Sequence, residues 1–291
     1  MANSNAIRPA QQSDIPAIRE FTTDTFSWGD YVGESIEDWL ADERGVIPVL
    51  VEDNTPVAMV RAVLLSESET WIQAARVHPN HRRRGLGSAL NDWAVAWAGS
   101  QGAHVVRLMT EKDNIAPQRQ VERLGYRLIG EWVGARRTVS RTELDPQTNG
   151  GVRVPGDERL DIAPRAEAQP AWSMWSTSVL IRGAHRLAPV EGWMLRSLTL
   201  DDVNDGMGLG LWQCASGWII GGVEDEDTFV VRWLVTTEDD ADRIMRAIVD
   251  LAAEHAEHLL IFAPALPWIT EALTRSGLEL HPQLIWQKQV S

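Results

Sequence analysis

Residues 74–90 read AARVHPNHRRRGLGSAL and pass from a predicted strand, through a basic turn, into a predicted helix. Backbone N–H groups at a helix N-terminus have no partner within the helix, so such a turn can hold a pyrophosphate. Gly85 and Gly87 allow close approach to the backbone, and the arginines at 82–84 attract phosphate. The spacing alone is equally consistent with a solvated basic loop before an ordinary helix.

The segments around this turn alternate between strand and helix patterns. Ser13 and Asp14 cap a predicted helix that runs to about residue 26. The other predicted elements are strands at 46–51, 56–65 and 71–77, a helix at 85–100, a strand at 104–109, a helix at 114–124 and a strand from 126. This order predicts an α/β domain with a mixed sheet.

Residues 6–138 resemble the GNAT superfamily of acetyl-CoA-dependent N-acetyltransferases. Its signature, Q/R-x-x-G-x-G/A after a strand, is matched by Arg82-Arg83-Arg84-Gly85-Leu86-Gly87. A second hallmark, a helix that ends in a leucine-glycine-aromatic step, is matched by residues 122–126, and Asn114 lies before that helix. The resemblance implies the acyl-CoA N-acyltransferase (GNAT) fold.

The resemblance also implies acetyl-CoA as co-substrate, with no metal. The backbone of Ala75, Arg76 and Val77 would pair with the pantetheine arm, and Asn114 would contact the cofactor near the thioester. The pyrophosphate would be held by Arg82, Arg83, Arg84, Gly85, Leu86, Gly87 and Ser88. An amine would then attack the acetyl carbonyl directly, with alignment and carbonyl polarisation supplying most of the rate enhancement.

Two positions depart from the family pattern. Gln73 stands where many relatives have a glutamate base, and Val121 stands where many have a tyrosine acid. Glu69, His78 and Tyr126 are candidate substitutes, and water could also relay the proton. Each of the three also has a structural interpretation: a solvated strand end, a turn residue and a core aromatic.

The loop between the first two predicted helices is expected to contribute to the acceptor site. Asp30 and Glu34 could hold an ammonium group, and Trp28 or Tyr31 could pack against an apolar acceptor. Alternatively, Asp30 caps a turn and Trp28 packs in the core.

Composition limits the class of function. The net charge is −14, of which −4 falls in residues 1–150, which argues against nucleic-acid binding. Cys214 is the lone cysteine, so no intrachain disulfide or cysteine-based metal site is expected. No apolar run is long enough for a membrane span, and we expect a cytoplasmic protein without membrane partners, as a monomer or homodimer.

The chain divides into two predicted domains, residues 1–140 and 171–291, with a Pro/Gly-rich charged linker at 141–170. Residues 7–15 and 195–203 resemble each other, each a short strand that runs into a helix cap. A strand at 228–235, a helix at 241–255, a strand at 259–263 and a helix at 268–276 repeat the order of the first half. The turn at 236–240 reads TTEDD, which would repel pyrophosphate. We therefore expect tandem GNAT architecture with a degenerate second domain. Mycothiol synthases are similarly built, but their competent half is the second.

Two further patterns favour ordinary structure. The glycine run at 206, 208 and 210 lacks a preceding strand and basic residues, which indicates a loop. His255 and His258 are typical of a solvated helix end and are weak evidence for a metal site. The sequence thus predicts an N-acetyltransferase acting on the primary amine of a small molecule or amino acid. A protein N-terminal or lysine acetyltransferase and a non-catalytic acyl-CoA-binding module are the alternatives.

Overall fold

The computed structural model describes residues 6–23, 25, 29–140 and 158–290. The chain forms two compact units. The first unit comprises Met1–Thr110, Asn114–Leu128 and Trp286–Ser291, and the second comprises Glu111–Asp113 and Ile129–Ile285. Of the predicted linker, residues 141–157 lie outside the described residues.

The first unit is built from a mostly antiparallel sheet and four helices. Its elements are β1 (Ala6–Pro9), α1 (Ile15–Thr22), α2 (Val32–Ala41), β2 (Gly45–Val46), β3 (Pro48–Glu52), β4 (Thr55–Leu64), β5 (Glu69–Val77), α3 (Leu86–Ser100), β6 (Val105–Glu111) and α4 (Ile115–Arg123). The strand order is β1-β3-β4-β5-β6, with β2 beside β4. The pairing is antiparallel except between β5 and β6.

An apolar layer between the helices α1 and α2 and the sheet fixes this arrangement. Ile18 and Ile36 are fully buried on the inner faces of the two helices, and Val49 and Met59 are fully buried on β3 and β4. Helical spacing places the inward residues on one stripe of each helix, as a surface helix requires. No helix in the described part of the chain is long and apolar enough to cross a membrane.

The second unit also combines strands and helices. Its elements are β7 (Arg127–Thr138), β8 (Asp161–Ile162), α5 (Ala168–Thr177), α6 (Val179–Gly183), β9 (Leu187–Glu191), β10 (Met194–Ser197), α7 (Leu200–Asp205), β11 (Leu211–Cys214), β12 (Gly217–Val223), β13 (Thr228–Val235), α8 (Ala241–His255), β14 (His258–Pro264), α9 (Pro267–Arg275) and β15 (Glu279–Gln289). The strand order is β7-β14-β13-β12-β11-β8, and β9 and β10 form a separate hairpin.

The mixed α/β fold predicted from the sequence is confirmed. The hairpin turn between β3 and β4 is made by Asp53 and Asn54, both with positive φ, as two-residue hairpin loops require. The elements β13 and α8 have the predicted bounds. Between residues 178 and 227 the sequence predicted only a short strand that runs into a helix cap, at 195–203, and the structure has six helices and strands there, none longer than seven residues.

The end of the chain belongs to the first unit. There, the Trp286 indole donates to the Thr110 hydroxyl at 2.9 Å, and the Lys288 ammonium donates to the Leu124 carbonyl at 2.8 Å. The Arg107 guanidinium donates to Gln287 at 2.8 Å. Residues far apart in sequence therefore complete this unit.

The two similar segments, residues 7–15 and 195–203, each contain an ion pair between an arginine and an aspartate six residues later. Arg8 donates to both carboxylate oxygens of Asp14, at 2.6 and 2.9 Å, and Arg196 does the same to Asp202, at 2.8 and 2.6 Å. Each aspartate also accepts the backbone N–H three residues before it, at 2.8 Å in both cases. The same spacing of six residues thus ties a strand to the following helix in both units.

We expect the Asp14→Asn variant to lose about 1 kcal/mol of unfolding free energy, because it weakens a bidentate ion pair and a cap. The hydrogen bond from Arg8 lowers the pKa of Asp14. A carboxylate whose pKa is lower in the folded protein than in the unfolded chain stabilises the fold at any pH above its unfolded pKa of about 4. This stabilisation is lost as the pH falls through the pKa of the folded state. Urea unfolding should therefore show that the difference in unfolding free energy between the wild type and Asp14→Asn is constant above about pH 5 and shrinks below about pH 4.

Glu20→Gln, an exposed substitution on α1, is the control and should leave stability nearly unchanged. A deficit of Asp14→Asn that is the same at pH 3 and pH 7 would contradict the role given to the ion pair.

Candidate functional site

The sheet of the first unit opens between β5 and β6. The two strands pair in parallel from Glu69↔Val105 to Trp71↔Arg107, and no pairing follows, although β5 runs on to Val77 and β6 to Glu111. Unpaired strand edges present N–H and C=O groups to any extended ligand. The opening can therefore admit an extended chain along β5.

A β-bulge in β5 lies at this opening. Arg61 is opposite Gln73 and Met59 is opposite Arg76, so two residues of β5 face one of β4. Ala74, inside the bulge, has φ of +56°, which is uncommon for a residue with a side chain. A bulge bends and twists its strand, which explains why β5 turns away from β6 here.

The basic turn follows β5. Pro79–His81 form one 3-10 turn, and Arg83 and Gly85 both have left-handed backbone conformations, with φ of +63° and +77°. The helix α3 begins at Leu86. Gly85 suits its conformation because it has no Cβ, whereas Arg83 adopts it at a steric cost.

The turn presents unpaired amides. The N–H groups of Ser88 and Ala89 both donate to the Gly85 carbonyl at 3.1 Å. In the described part of the chain, the N–H groups of Gly85, Leu86 and Gly87 have no acceptor. Together with the positive end of the helix dipole, they form an anion-binding terminus of the kind that holds phosphates.

Gly87 keeps this terminus open. A Cβ placed there would lie 3.2 Å from Nε2 of Gln120 on α4 and 3.9 Å from a methyl group of Val77. The nearer atom is the end of a flexible side chain, so the fold can tolerate a side chain at this position. A side chain at this position would narrow the space between the start of α3, Gln120 and Val77.

The three arginines of the turn differ in their contacts. Arg82 donates to the Val77 carbonyl at 3.4 Å, and Arg84 forms an ion pair with Glu52 at 2.8 Å. The guanidinium of Arg83 is exposed and has no partner among the described residues. Positive charge thus remains at the turn for an anionic ligand.

Asn114 lies in the loop between β6 and α4. It is the residue before α4, three positions after the end of β6, and its exposed side chain makes no capping hydrogen bond. The following Ile115 is half exposed. The start of α4 therefore exposes a polar and an apolar side chain.

The Asp30 carboxylate forms an ion pair with Arg76. Nε of Arg76 lies 2.5 Å from Oδ2 of Asp30, and the carboxylate also accepts the N–H of Val32 at 3.0 Å, which caps α2. The Asp30 side chain has no exposed surface. Burial opposes ionisation, but the hydrogen bonds from Arg76 and Val32 outweigh it, so the pKa of Asp30 is lowered.

The neighbours of Asp30 form an aromatic patch. The ring of Tyr31 lies edge-on to Trp39, with centroids 5.9 Å apart, and the guanidinium of Arg76 lies 5.5 Å from the Tyr31 centroid. Glu34 is exposed on α2. Trp28 lies outside the described residues.

The three candidate acid–base residues are not brought together. Glu69 is buried at the start of β5 and bound by Arg107 at 2.6 Å, about 25 Å along the strand from Val77. His78 begins the turn, where its Nδ1 accepts the N–H of Asn80 at 3.1 Å. Tyr126 is buried, and its hydroxyl donates to Asn91 at 2.9 Å. Burial is the main cause that raises the pKa of Tyr126.

The second unit has the same strands but a different turn. The parallel pairing of β13 and β14 ends at Val231↔Ile261, and the following Arg232 donates to the Val190 carbonyl on β9. The loop from β13 to α8 reads TTEDD. Its Asp240 accepts from Thr237 at 2.8 Å and pairs with Arg243 at 2.7 Å. This loop has no glycine and no unpaired cation.

Metal ligands do not cluster in the described part of the chain: no group of three or more His, Cys, Asp or Glu side chains could hold an ion there. His255 instead packs against Phe229 and Trp212, with centroids 6.3 and 6.1 Å away.

Sequence analysis did not identify Glu52, a buried carboxylate from β3 that contacts Arg84 of the turn. It lies at the end of an apolar strand before a hairpin turn, where a glutamate is ordinarily solvated. Arg61 on β4 was also not singled out, although its guanidinium is buried and paired with Asp42 at 2.7 Å.

Comparison with known proteins connects this geometry to a family. Residues 15–126 match the acetyltransferase (GNAT) family. A search among curated proteins found no match.

Similar solved structures span nearly the whole chain. One is a GCN5-related N-acetyltransferase from Sphaerobacter thermophilus, at 12% identity and a TM-score of 0.64, covering 98% of this chain and 95% of that one. Another is a putative acetyltransferase from Thermoplasma acidophilum, at 15% identity and a TM-score of 0.59, covering 98% and 99%. A third is a tandem GNAT protein from the clavulanic acid biosynthesis pathway, at 13% identity and a TM-score of 0.57, covering 98% of each. At these identities the likeness shows the fold.

We expect the Asp30→Asn variant to lose about 3 kcal/mol of unfolding free energy, because Arg76 would be left buried without its charged partner. Urea unfolding at neutral pH measures the loss. Asp38→Asn, an exposed substitution on α2, is the matched control and should change stability by less than about 0.5 kcal/mol. Equal losses in the two variants would contradict the pairing.

Proposed function

Since residues 15–126 belong to the GNAT acetyltransferase family and the chain has the tandem GNAT fold, we propose that it transfers an acetyl group from acetyl-CoA to a primary amine. The acceptor is a small molecule or an amino acid. The work is done by the first unit.

The observation that carries this proposal is the turn of unpaired amides at Gly85, Leu86 and Gly87, placed directly after the opened strand β5. A pyrophosphate bound at the turn would leave the rest of the cofactor to run along β5 into the opening. The exposed guanidinium of Arg83 adds attraction for the phosphates.

The reaction is direct attack of the amine on the thioester carbonyl. The N–C bond forms, the C–S bond breaks, the amine loses a proton, and CoA leaves as the thiol. Gln73 at the bulge cannot accept that proton and Val121 in α4 cannot supply one to sulfur, so water carries both. Alignment of the two substrates and polarisation of the carbonyl by strand N–H groups supply the acceleration.

The acceptor ammonium is not held by Asp30 in this proposal, because that carboxylate is fully buried and paired with Arg76. Glu34 and the exposed edge of Tyr31 are the acceptor-side groups that remain. The lone Cys214 agrees with a reducing setting, which we propose to be the cytoplasm.

Each chain binds one acyl-CoA. In the second unit, Glu238 and Asp239 are exposed where phosphates would lie, and Arg232 is held by the β9 carbonyl beside the divergent strand. Each like-charge contact at a few ångströms costs about 1 kcal/mol in a water-like dielectric.

We expect Gly87→Val to weaken CoA binding by on the order of a hundredfold while the fold persists, because the side chain fills the space before the amides. Ala89→Val, exposed in the same helical turn, is the matched control and should bind as the wild type does. Calorimetric titration should give a stoichiometry near one. Two sites per chain, or unaltered affinity in Gly87→Val, would overturn the assignment.

We also expect the acetylation rate to rise with pH toward the pKa of the acceptor amine, because the proposed reaction uses water and not a side chain as the base. Release of free CoA thiol from a panel of amines measures the rate. A bell-shaped profile that disappears in His78→Asn would reveal a catalytic histidine, and an absence of thiol release with every amine would favour the non-catalytic binding module.

A further inference from the structure

We propose that Glu52 is a positioning residue for the phosphate-binding turn and acts through Arg84. The inference rests on the proposed function, since it concerns how the turn is held for acyl-CoA. Glu52 itself does not touch the cofactor.

The ion pair between the two residues is bidentate. Arg84 donates from its two terminal nitrogens to the two oxygens of Glu52, at 2.8 and 3.1 Å. The Glu52 side chain is 8% exposed, whereas that of Arg84 is 45% exposed. A fork-to-carboxylate contact on a buried anchor fixes both position and orientation of the turn residue that provides it.

His81 contacts both members of this ion pair. Its Nδ1 lies 2.9 Å from the Arg84 guanidinium and 3.1 Å from Oε2 of Glu52. The imidazole nitrogen therefore lies beside both members of the ion pair. The ring also lies edge-on to His78, with centroids 5.2 Å apart. Two turn residues, Arg84 and His81, thus contact one carboxylate, and His78 packs against the second of them.

The turn needs such an anchor for two reasons. Arg83 is held in a left-handed conformation, which costs free energy that other contacts must offset. Three consecutive arginines also repel one another, and a buried carboxylate from β3 neutralises one of them. Glu52 therefore stabilises the conformation in which the amides of Gly85 to Gly87 face one ligand.

The contact with Glu52 also gives Arg84 and Arg83 different roles. Arg84 is committed to Glu52, so the side-chain contribution to phosphate binding falls to Arg83, whose guanidinium has no partner among the described residues. A direct role of Arg84 in phosphate binding makes the opposite prediction, because freeing Arg84 from Glu52 would then strengthen binding.

The test compares Glu52→Gln, Arg84→Gln, the double variant and Arg83→Gln, with Asp53→Asn as the matched control. Asp53 is the next residue, is exposed, and has a left-handed conformation that asparagine tolerates. Two quantities are measured on the full chain: the Kd for CoA by calorimetry, and hydrogen exchange of the amides of residues 83–87 without ligand.

We expect Glu52→Gln and Arg84→Gln each to raise the Kd by about tenfold and to speed exchange in the turn, with no further increase in the double variant, because the two residues act as one unit. Arg83→Gln should raise the Kd without altering exchange. Asp53→Asn should change neither.

If Glu52→Gln unfolds more easily but keeps its Kd and its exchange rates, Glu52 is only a structural residue. If Glu52→Gln binds CoA more tightly, Arg84 binds the phosphates itself. Either result overturns the inference. Should Glu52→Gln fail to fold, Arg84→Gln and Arg84→Lys decide the matter by the same two measurements. Wild-type protein that does not bind CoA would refute the proposed function, while exchange in the turn would still decide whether Glu52 holds it.

Discussion

The candidate site depends on one interruption in hydrogen bonding, the end of the β5–β6 pairing after Trp71↔Arg107. A parallel sheet would ordinarily continue its ladder as long as both strands last. The bulge at Ala74 bends β5 out of register, and the strand then delivers the basic turn and the N-terminus of α3 to the end of the opening. Strand, turn and helix are contiguous in sequence, so one bulge positions the whole anion-binding surface.

The two units share several structural features but differ at the turn that follows the parallel strand. The strand-to-helix ion pair recurs with the same spacing and the same contacts at Arg8–Asp14 and Arg196–Asp202. The parallel strand pair that opens also recurs. The turns differ in charge and in glycine content, and in the proposed function those local differences, not the fold, separate an end that binds phosphate from one that repels it.

The sequence predicted what depends on local pattern. The fold class, the elements from β3 to α4 and the bounds of β13 and α8 follow from periodicity, caps and turn residues, which act within a few positions. Contacts across the sheet leave no such pattern. The burial of Asp30 by Arg76 joins residues 46 positions apart, and the contact of Glu52 with Arg84 joins residues 32 apart. The short elements between 171 and 227 are set by packing against the rest of their unit, because helices of five or six residues have little stability of their own.

The return of residues 286–291 to the first unit has a kinetic consequence. The hydrogen bonds from Trp286 to Thr110 and from Arg107 to Gln287 close loops of 176 and 180 residues. Ribosomes make the N-terminal part first, yet these bonds cannot form until the second unit has been synthesised. Non-local closure of this kind slows folding, since loop entropy is lost before the contacts form. The nascent first unit is therefore synthesised with the edge beside β6 unfilled, and it can be completed only after residues 286–289 have been made.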